Sequence, residues 1–351
     1  MNAERFEQIT QAYGRLKVVV AGDFCLDRYL EIDPALEEVS IETGLAAHQV
    51  VGVRSQGGGA GNVLTNVAAL HPEAVRAVGI CGRDGEGFEL LRALRGLKAD
   101  LSGFLRARNR LTFTYTKPLV CPAGGLPREL SRLDIKTRTP LTTRQEEQVV
   151  TRLEAAMADA DAVILMDQAS DVRLSVLNSS VKAAVAELAA RPEHRGKVIL
   201  ADSRTDCAGF ASVGIKVNRQ ELFSRSSGQA DATEDSLAAR WAAELGQPVF
   251  VTLSEQGMIG ALPDGTTRRV GGVRVEGPID VVGAGDAVLA HLAVALAAGA
   301  ELEEAMTLAN LAGSIVVRKI GTTGTASVDE LREALKGRNT TAQGNALGTG
   351  R

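Results

Sequence analysis

Short apolar runs alternate along this chain with longer segments of helical periodicity. Runs too apolar to face water on either side are predicted to be buried strands at 16–23, 75–82, 162–167, 197–202 and 249–254. Apolar residues spaced three or four apart predict helices at 60–70, 85–97, 144–157, 174–191 and 233–244. Buried strands joined by crossover helices predict an α/β fold, with a mostly parallel central sheet covered on both faces.

Two segments interrupt the alternation, at about 29–56 and 111–134. Both contain extended, alternating stretches with no helix between their strands, which predicts a small separate β-sheet that covers the strand ends as a lid. A pair of long surface insertions explains the same pattern. Ligands of a parallel sheet collect beyond the carboxyl ends of its strands. Polar residues follow several predicted strands there, namely Asp23, Asp167, Asp202 and Ser254.

We expect a single domain over residues 1–336, into which the two lid segments are inserted. A chain of 351 residues can bury a large core, although two modest domains would also fit this length. Residues 337–351 are rich in Gly, Asn and Thr and lack an apolar face. They are therefore predicted to form a disordered tail.

Composition narrows the functional classes. The formal net charge of −4 gives no basic field that would attract nucleic acid or an anionic membrane surface. Residues 1–17 lack the continuous apolar segment of a secretory signal, and no later run is long enough to cross a bilayer. The cysteines have no paired spacing that indicates a zinc site or a disulfide framework. We therefore expect a cytoplasmic protein that acts on small molecules.

Two glycine-rich segments stand directly before helical patterns. In the first, SQGGGAGN, Gly58 and Gly59 lead into a helix whose first turn carries Asn62. Glycines let the backbone approach a ligand closely, and the free amides of a helix start bind polar groups. An ordinary strand-to-helix turn explains these residues as well.

The second segment, VVGAGDAVLA, places Asp286 after Gly283, Ala284 and Gly285 at the start of a long apolar helix. Free N–H groups and the positive end of the helix dipole make such a start an anion site. A carboxylate beside it can take the proton of an attacking hydroxyl while the amides stabilise a transferred phosphoryl group. Helix capping also explains an Asp, but capping requires no glycines before it.

These motifs resemble those of a known family. DVVGAGDAVLA is similar to the Asp-Thr-x-Gly-Ala-Gly-Asp signature of ribokinase-like (PfkB) sugar kinases, and GGGAGNVLTNVAAL resembles their N-terminal Gly-Gly-x-x-x-Asn signature. VVVAGDFCLDRY, VNRQE, VTLSEQGM and ANLAGSIVVRKIGTTG resemble further family motifs in the same order, over about residues 16–335. The resemblance implies a ribokinase-like three-layer α/β/α domain with a small β-sheet lid, ATP and Mg²⁺ as cofactors, and a homodimer through the lid.

The resemblance also implies a role for each matching residue. For catalysis it implies Asp286 as the general base, beside a phosphoryl cradle at Gly283, Ala284 and Gly285. For sugar binding it implies Asp27, Gly58, Gly59 and Asn62. For the nucleotide it implies Asn218, Thr252, Ser254, Gly257 and Asn310, with Ser254 where the family usually has glycine. For metals it implies Glu221 with Asn218 at Mg²⁺, and Asp280 with the backbone near Gly321 at a monovalent cation such as K⁺.

Some assignments have a plain structural alternative. Asn218 and Glu221 could be an ordinary helix start with a surface carboxylate. Arg132 and Arg204 lie near predicted strand ends, where each could hold a substrate phosphate or form a surface ion pair. His291 is expected to be a packed core histidine, because it lies more than a turn beyond the anion site.

Within the family the chain most resembles the heptose-7-phosphate kinases. GDFCLDRYL, RELSRLDI and LANLAGSIVVRKIGT carry this narrower likeness. It implies phosphorylation of D-glycero-D-manno-heptose 7-phosphate at C1. We expect the second, nucleotidyltransferase half of the bifunctional heptose enzymes to be absent. VSIETGLAAHQVV and MDQASD depart from that subgroup near the sugar. A kinase of another alcohol, such as a nucleoside, and a catalytically weak sugar-binding regulator are the alternatives.

Overall fold

The computed structural model of the protein describes residues 1–204, 207–225 and 232–347. In chain order its strands are β1 (Lys17–Gly22), β2 (Phe24–Ile32), β3 (Glu38–Val39), β4 (Ala46–Ala47), β5 (Val50–Gly59), β6 (Ala74–Gly82), β7 (Phe104–Ala107), β8 (Thr114–Val120), β9 (Arg128–Glu129), β10 (Leu133–Ile135), β11 (Ala162–Asp167), β12 (Val198–Ser203), β13 (Gly214–Asn218), β14 (Val249–Thr252), β15 (Met258–Ala261) and β16 (Thr267–Val270). Its helices are α1 (Ala3–Ala12), α2 (Ala60–Ala68), α3 (Gly85–Gly96), α4 (Thr143–Met157), α5 (Ser179–Ala190), α6 (Arg219–Arg225), α7 (Glu234–Leu245), α8 (Ala284–Ala297), α9 (Leu302–Val316) and α10 (Val328–Leu347).

The large sheet has the strand order β16-β15-β14-β13-β12-β11-β1-β6-β7. Pairing is parallel from β14 through β7, and β15 and β16 are antiparallel at one edge. The predicted mostly parallel sheet is confirmed. Since the parallel strands run in one direction, the residues that follow β1, β11, β12 and β13 share one edge of the sheet.

Helices cover both faces of this sheet because its central strands are apolar on both sides. Val18 and Val20 of β1 belong to one core cluster, together with side chains of α2, α8, α9 and α10. Val19 and Ala21 belong to a second cluster, with side chains of α4, α5 and α7. Alternate residues of one strand thus enter opposite cores, as the pleat of a strand requires. The result is the expected three-layer α/β/α arrangement.

A smaller sheet joins the segments that interrupt the alternation. It has the order β10-β8-β2-β5, with β9 paired to β8. Strand β2 pairs antiparallel with β5 and parallel with β8, and β3 and β4 form a separate short hairpin between β2 and β5. The smaller sheet is therefore present, while its action as a lid stays a prediction.

Two predicted elements differ from the structure. The helix expected at 174–191 begins only at Ser179, because Asn178 caps it by accepting a hydrogen bond from the amide of Val181. The disordered tail expected from residue 337 is wrong for 337–347, which continue α10. Leu331 and Leu335 anchor this helix in the core, and no proline interrupts the segment that follows. Residues 348–351 lie outside the described residues.

None of the helices in the described ranges is both long and apolar enough to cross a membrane.

The Asp23 carboxylate holds the loop that follows β11. It lies buried directly after β1 and accepts hydrogen bonds from the amides of Gln168, Ala169 and Val176 and from the hydroxyl of Ser175, at 2.7–3.0 Å. Burial raises the pKa of Asp23, while these donors lower it. Asp23, proposed from the sequence as a strand-end polar residue, therefore organises the edge of the sheet.

We expect Asp23→Ala to lower the free energy of unfolding by about 3 kcal/mol or more, because it leaves several buried donors without an acceptor. Urea denaturation at pH 7 measures this change. Glu276→Ala is the control, since Glu276 pairs with Arg274 on the surface and should contribute less than about 0.5 kcal/mol. Equal effects of the two substitutions would contradict the structural role of Asp23.

Candidate active site

A cleft of about 390 Å³ opens between the carboxyl edge of the large sheet and the small sheet. Several predicted site residues line it together, namely Asp27, Gly59, Asn62, Arg132, Glu221, Gly283, Gly285 and Asp286. The two glycine-rich segments among them, which end at Asn62 and Asp286, are separated by more than two hundred residues along the chain. The fold therefore brings both glycine-rich segments to one site.

The central contact of the cleft joins Asn62 to Asp286. Asn62 lies in the first turn of α2 and is buried, and its Nδ2 donates to Oδ2 of Asp286 at 2.6 Å. Asp286 is the third residue of α8, whose N-terminal residue has no side-chain capping bond. Helix capping therefore does not explain this carboxylate, which instead faces the amide of another helix.

Gly283 makes this contact sterically possible. Its φ is +81°, and a Cβ atom built on it would lie 2.7 Å from Nδ2 of Asn62. After this turn, Gly285 and Asp286 contribute first-turn amides that have no partner within a helix. The amide of Ala284, which the sequence also assigns to the cradle, donates to the carbonyl of Val281 at 3.3 Å. Of the amides predicted for a phosphoryl cradle, the amide of Ala284 is therefore already bonded, and the cradle stays a prediction for those of Gly285 and Asp286.

The pKa of Asp286 is raised to about 6, mainly by burial and also by the neighbouring Asp202. The hydrogen bond from Asn62 and the charges of Lys216 and Arg204 act in the opposite direction. A carboxylate with this pKa is largely ionised at neutral pH and is still basic enough to accept a proton. The site can therefore support general-base chemistry.

Asp27 lies on the small-sheet side of the cleft. It is buried on β2, and burial raises its pKa, whereas Lys117 and Arg132 lower it. A Cβ atom on Gly58 would lie 2.8 Å from Oδ2 of Asp27, so only glycine leaves this carboxylate room. At the next residue, Gly59, the chain turns into α2. The first glycine-rich segment therefore leaves room for the Asp27 carboxylate and leads into the helix turn that carries Asn62. An ordinary strand-to-helix turn does not require the glycine at 58.

Two cationic side chains face Asp27 from the small sheet. Arg132 pairs with Asp134 at 2.6 Å, and its guanidinium lies 4.3 Å from the centre of the Tyr115 ring. Lys117 of β8 donates to the hydroxyl of Tyr29 at 3.4 Å. Arg132 thus forms the surface ion pair that the sequence left open, and it lines the cleft as well.

Three charged residues on the large-sheet side complete the cleft. Lys216 on β13 is buried and forms an ion pair with Asp202 of β12, and Arg204 follows β12. When the Gln168 side-chain amide is turned to face Arg204, its oxygen accepts from Nε at 3.1 Å and Nη2 at 2.9 Å. Sequence reasoning missed Lys216, although a lysine inside the apolar run GIKVN is an available signal, since a buried charge needs a partner.

Asn218 and Glu221 cap each other at the start of α6. The amide of Asn218 donates to Oε2 of Glu221 at 2.7 Å, and the amide of Glu221 donates to Oδ1 of Asn218 at 2.9 Å. Glu221 also lines the cleft, and burial raises its pKa. The helix-start alternative is therefore observed, and Glu221 lines the cleft in addition to this capping role.

The residues predicted for the nucleotide are not among those that line this cleft; they lie at the ends of β13 and β14, in the turn before β15 and on α9. Ser254 has a φ of +54°, which accounts for the glycine that the family usually has at this position. A Cβ atom on Gly257 would clash with the carbonyl of Val270, and Asn310 Nδ2 donates to that carbonyl at 3.2 Å. The Thr252 hydroxyl donates to the carbonyl of Val217 at 3.3 Å. Their contacts to a nucleotide stay predictions.

Asp280 joins the loop before α8 to the loop after α9. Its Oδ1 accepts from the amide of Val282 at 3.0 Å, and its Oδ2 accepts from the amide of Gly321 at 3.3 Å. The two segments assigned to a monovalent cation therefore meet. Because amides already occupy both carboxylate oxygens, a K⁺ site there stays a prediction.

His291 is fully buried in α8. Its ring nitrogens lie 2.8 Å from the carbonyl of Ala287 and 2.9 Å from that of Ala326, and burial lowers its pKa. It occupies the core, as expected, and is absent from the residues that line the cleft.

Comparison with known proteins identifies the family. Residues 134–329 match the profile described as pfkB family carbohydrate kinase. The chain belongs to the pfkB family of carbohydrate kinases. It is also 33% identical over 330 residues to the bifunctional protein HldE of Mesorhizobium japonicum, covering 92% of this chain and 62% of that protein. The chain thus spans less than two thirds of the length of this relative.

Solved structures share the pfkB-family fold. The ribokinase of Arabidopsis thaliana, complexed with ribose and ATP, has a TM-score of 0.62 and 22% identity, covering 92% of this chain and 98% of that one. The phosphofructokinase-2 of Escherichia coli, in complex with fructose-6-phosphate, has a TM-score of 0.67 and 18% identity, covering 91% and 97%. The ribokinase-like fold expected from the sequence is confirmed.

We expect the Asp286 carboxyl to titrate near pH 6, and Asn62→Ala to raise its pKa further, because the substitution removes a hydrogen bond that favours the ionised form. Carbon-13 NMR of labelled aspartate carboxyls measures the titration. Asn310→Ala is the control, since Asn310 bonds to Val270 instead. A wild-type pKa near 4, or no rise in Asn62→Ala, would contradict the geometry described.

Proposed function

We propose that this protein transfers the γ-phosphoryl group of ATP to a hydroxyl group of a sugar or sugar phosphate. The observation that carries the proposal is the Asp286 carboxylate, held by Asn62 at the glycine-rich start of α8. Asp27 lines the same cleft and supplies a directional acceptor for sugar hydroxyls. Base, anion site and hydroxyl acceptor are thereby assembled in one place.

Asp286 takes the proton of the acceptor hydroxyl as that oxygen attacks phosphorus. Asn62 holds the carboxylate in one orientation before and during the transfer. The amides of Gly285 and Asp286 stabilise the negative charge that builds on the phosphoryl oxygens. The small sheet limits access of water, which would otherwise compete with the acceptor.

The residues on the large-sheet side fit a nucleotide with its magnesium ion. Mg²⁺ prefers oxygen ligands and usually keeps several waters while it binds nucleotide phosphates. Glu221 and Asp202 supply carboxylate oxygens in the cleft. Within the described residues, no group of three or more His, Cys, Asp and Glu side chains could form an all-protein metal cage. We therefore assign Glu221, with Asn218 behind it, to the waters of a phosphate-bound Mg²⁺, which would neutralise phosphate charge.

The finer proposal for the substrate is D-glycero-D-manno-heptose 7-phosphate, phosphorylated at C1. The sequence likeness to heptose-7-phosphate kinases and the HldE relative support it. Lys117 and Arg132 place positive charge on the small-sheet side, where a substrate phosphate would need it. The departures in VSIETGLAAHQVV and MDQASD make other phosphorylated sugars the nearest alternatives.

A nucleoside acceptor is the second candidate. It would need an aromatic face on which a base can stack. Tyr115 offers the aromatic ring in the cleft lining, but the Arg132 guanidinium already lies over one face of that ring. A sugar-binding regulator without turnover would need no base of pKa about 6 beside an anion site. The geometry therefore favours a carbohydrate kinase.

A reducing, cytoplasmic location is part of the proposal. Cys25, Cys81, Cys121 and Cys207 are free thiols, and burial raises the pKa of the first two and of Cys207. Such thiols keep their reduced form in the cytoplasm.

We expect Asp286→Asn to lower kcat by about 10²–10⁴-fold while ATP binding is largely kept, because the amide cannot accept the proton. ADP release over a panel of sugars, sugar phosphates and nucleosides, with and without Mg²⁺, measures turnover and identifies the acceptor. Glu333→Gln is the control, because it changes an exposed carboxylate of α10 that does not line the cleft. Binding of acceptors without turnover in the wild type would favour the regulator, and full turnover in Asp286→Asn would defeat the mechanism.

We also propose a homodimer formed through the small sheet. Large apolar side chains are exposed on this sheet and its hairpin, namely Val39, Ile41, Leu45, Val51, Val53 and Leu133. Ile41 is 98% exposed at the hairpin turn. Exposed apolar side chains in this number on one sheet and its hairpin indicate an interaction site, and a second copy presents the same side chains in a symmetric pair.

We expect Val53→Asp to produce monomers, because the dimer would bury a carboxylate in an apolar contact. Size-exclusion chromatography with light scattering, over a range of concentrations, measures the mass. Phe88→Asp on α3 is the matched control, since Phe88 is equally exposed but lies outside this surface. A wild-type protein that is monomeric at every concentration would overturn the dimer.

A further inference from the structure

Gln56 of β5 joins the small sheet to the loop that follows α9. Its Nε2 donates to the hydroxyl of Thr323, and the hydroxyl of Thr322 donates to its Oε1 at 3.5 Å. The two threonines lie 267 and 266 positions further along the chain. The donor end and the acceptor end of one side-chain amide thus both hold the same distant loop.

Gln56 stands beside Asp27 on the small sheet. The two residues are directly opposite each other where β2 and β5 pair antiparallel, and residues paired in this way project from the same face of a sheet. Asp27 lines the cleft, whereas Gln56 is absent from the residues that line it. Gln56 is therefore close to the proposed acceptor side of the cleft without being one of its ligand contacts.

Thr323 carries this contact to the start of α8. It is buried and lines the cleft, and a Cβ atom built on Gly283 would lie 3.2 Å from its Cγ2. The same Cβ atom would lie 2.7 Å from Nδ2 of Asn62, which donates to the Asp286 carboxylate. Thr323 and Asn62 thus pack against one glycine. A displacement of Thr323 would therefore change the space in which the Asn62 amide is held.

The loop that contains the two threonines depends on side-chain contacts for its position. It lies between α9 and α10, and the amide of Gly321 donates to Oδ2 of Asp280 at 3.3 Å. Segments outside helices and sheets lack a regular hydrogen-bond ladder that would fix them. The loop is tied to the segment before α8 at residue 321 and to the small sheet at residues 322 and 323.

We propose that Gln56 is a positioning residue for phosphoryl transfer. It holds Thr323 against Gly283, and this contact keeps the Asp286 carboxylate in line with the bound acceptor. The inference rests on the proposed function and names a residue that acts through others. A misplacement of about 1 Å can lower a rate by about 10²-fold, so the loss of Gln56 affects the chemical step more than binding.

We expect Gln56→Ala to lower kcat by about tenfold or more, while the KM values for ATP and acceptor change by less than about threefold. ADP release measures these constants, with the sugar or sugar phosphate that gives the highest turnover in the acceptor panel. A rise in acceptor KM at unchanged kcat would overturn the positioning role, because it would make Gln56 a binding residue.

Gln49→Ala is the matched control for this substitution. Gln49 lies between β4 and β5, its side-chain amide donates to the carbonyl of Ala47 at 3.1 Å, and it does not line the cleft. Its replacement should change kcat by less than about threefold.

Thr323 allows the same contact to be tested from its other end, and serves if Gln56→Ala fails to fold. Thr323→Val removes the hydroxyl at nearly constant shape and should lower kcat as Gln56→Ala does, whereas Thr323→Ser keeps the hydroxyl and should stay within about threefold of the wild type. Since both residues form one contact, the double variant Gln56→Ala, Thr323→Val should be no slower than the slower single variant. Fully additive losses, or equal losses in Thr323→Val and Thr323→Ser, would overturn the proposal.

The Asp286 carboxyl gives a readout that requires no turnover. In Gln56→Ala its pKa should rise, as in Asn62→Ala, because a displaced loop weakens the hydrogen bond that favours the ionised form. Carbon-13 NMR of labelled aspartate carboxyls measures this change, and an unchanged pKa would overturn the proposal. The proposed function fails by a different result, namely no ADP release by the wild type with any acceptor, and the titration still decides the role of Gln56 in that case.

Discussion

The hydrogen bond from Asn62 to Asp286 joins the first turns of two helices, α2 and α8, that come from opposite ends of the sequence. Two helix starts that meet bring two positive dipole ends to one point, and this favours an anion there. The bond requires a glycine at 283, because any side chain would displace the Asn62 amide. The position of the Asp286 carboxylate thus depends on the lack of a Cβ atom at Gly283.

Cationic side chains lie on both sides of the cleft. Lys117 and Arg132 come from the small sheet, and Lys216 and Arg204 from the large one. Carboxylates lie beside the cations on both sides, so the residues that line the cleft carry little excess charge and each ion tolerates its burial. Phosphate groups could then be drawn to either end. This division suits a reaction in which a phosphorylated acceptor meets a nucleotide.

Much of the fold follows from the sequence. The buried strands and crossover helices can be predicted because apolar runs of strand length alternate with helical periodicity. The observed ends of the helices differ from the predicted ones by a few residues where a cap such as Asn178 begins the helix. The two glycine motifs also predict Asn62 and Asp286 as site residues, and the likeness of the first strand to the family predicts Asp27; all three line the cleft. The run GIKVN signals that Lys216 is a buried charge. Its spacing cannot show that Lys216 lines the cleft, because this depends on where β13 lies beside β12 and α8. Spacing also cannot show which amides at the start of α8 lack a backbone partner. The amide of Ala284, for example, donates to the carbonyl of Val281.

Strands β2 and β5 pair antiparallel, so the start of β2 and the end of β5 lie side by side next to the large sheet. Only Asp23 separates β1 from β2, Gly59 leads directly into Ala60 of α2, and the amide of Ala60 donates to the carbonyl of Asp23 at 2.9 Å. Residues 24–59 are therefore a cassette with adjoining ends. Exchange of this segment between related chains would replace Asp27 and Gly59 in the cleft lining and leave the register of the large sheet untouched, so the two sides of the cleft can diverge separately.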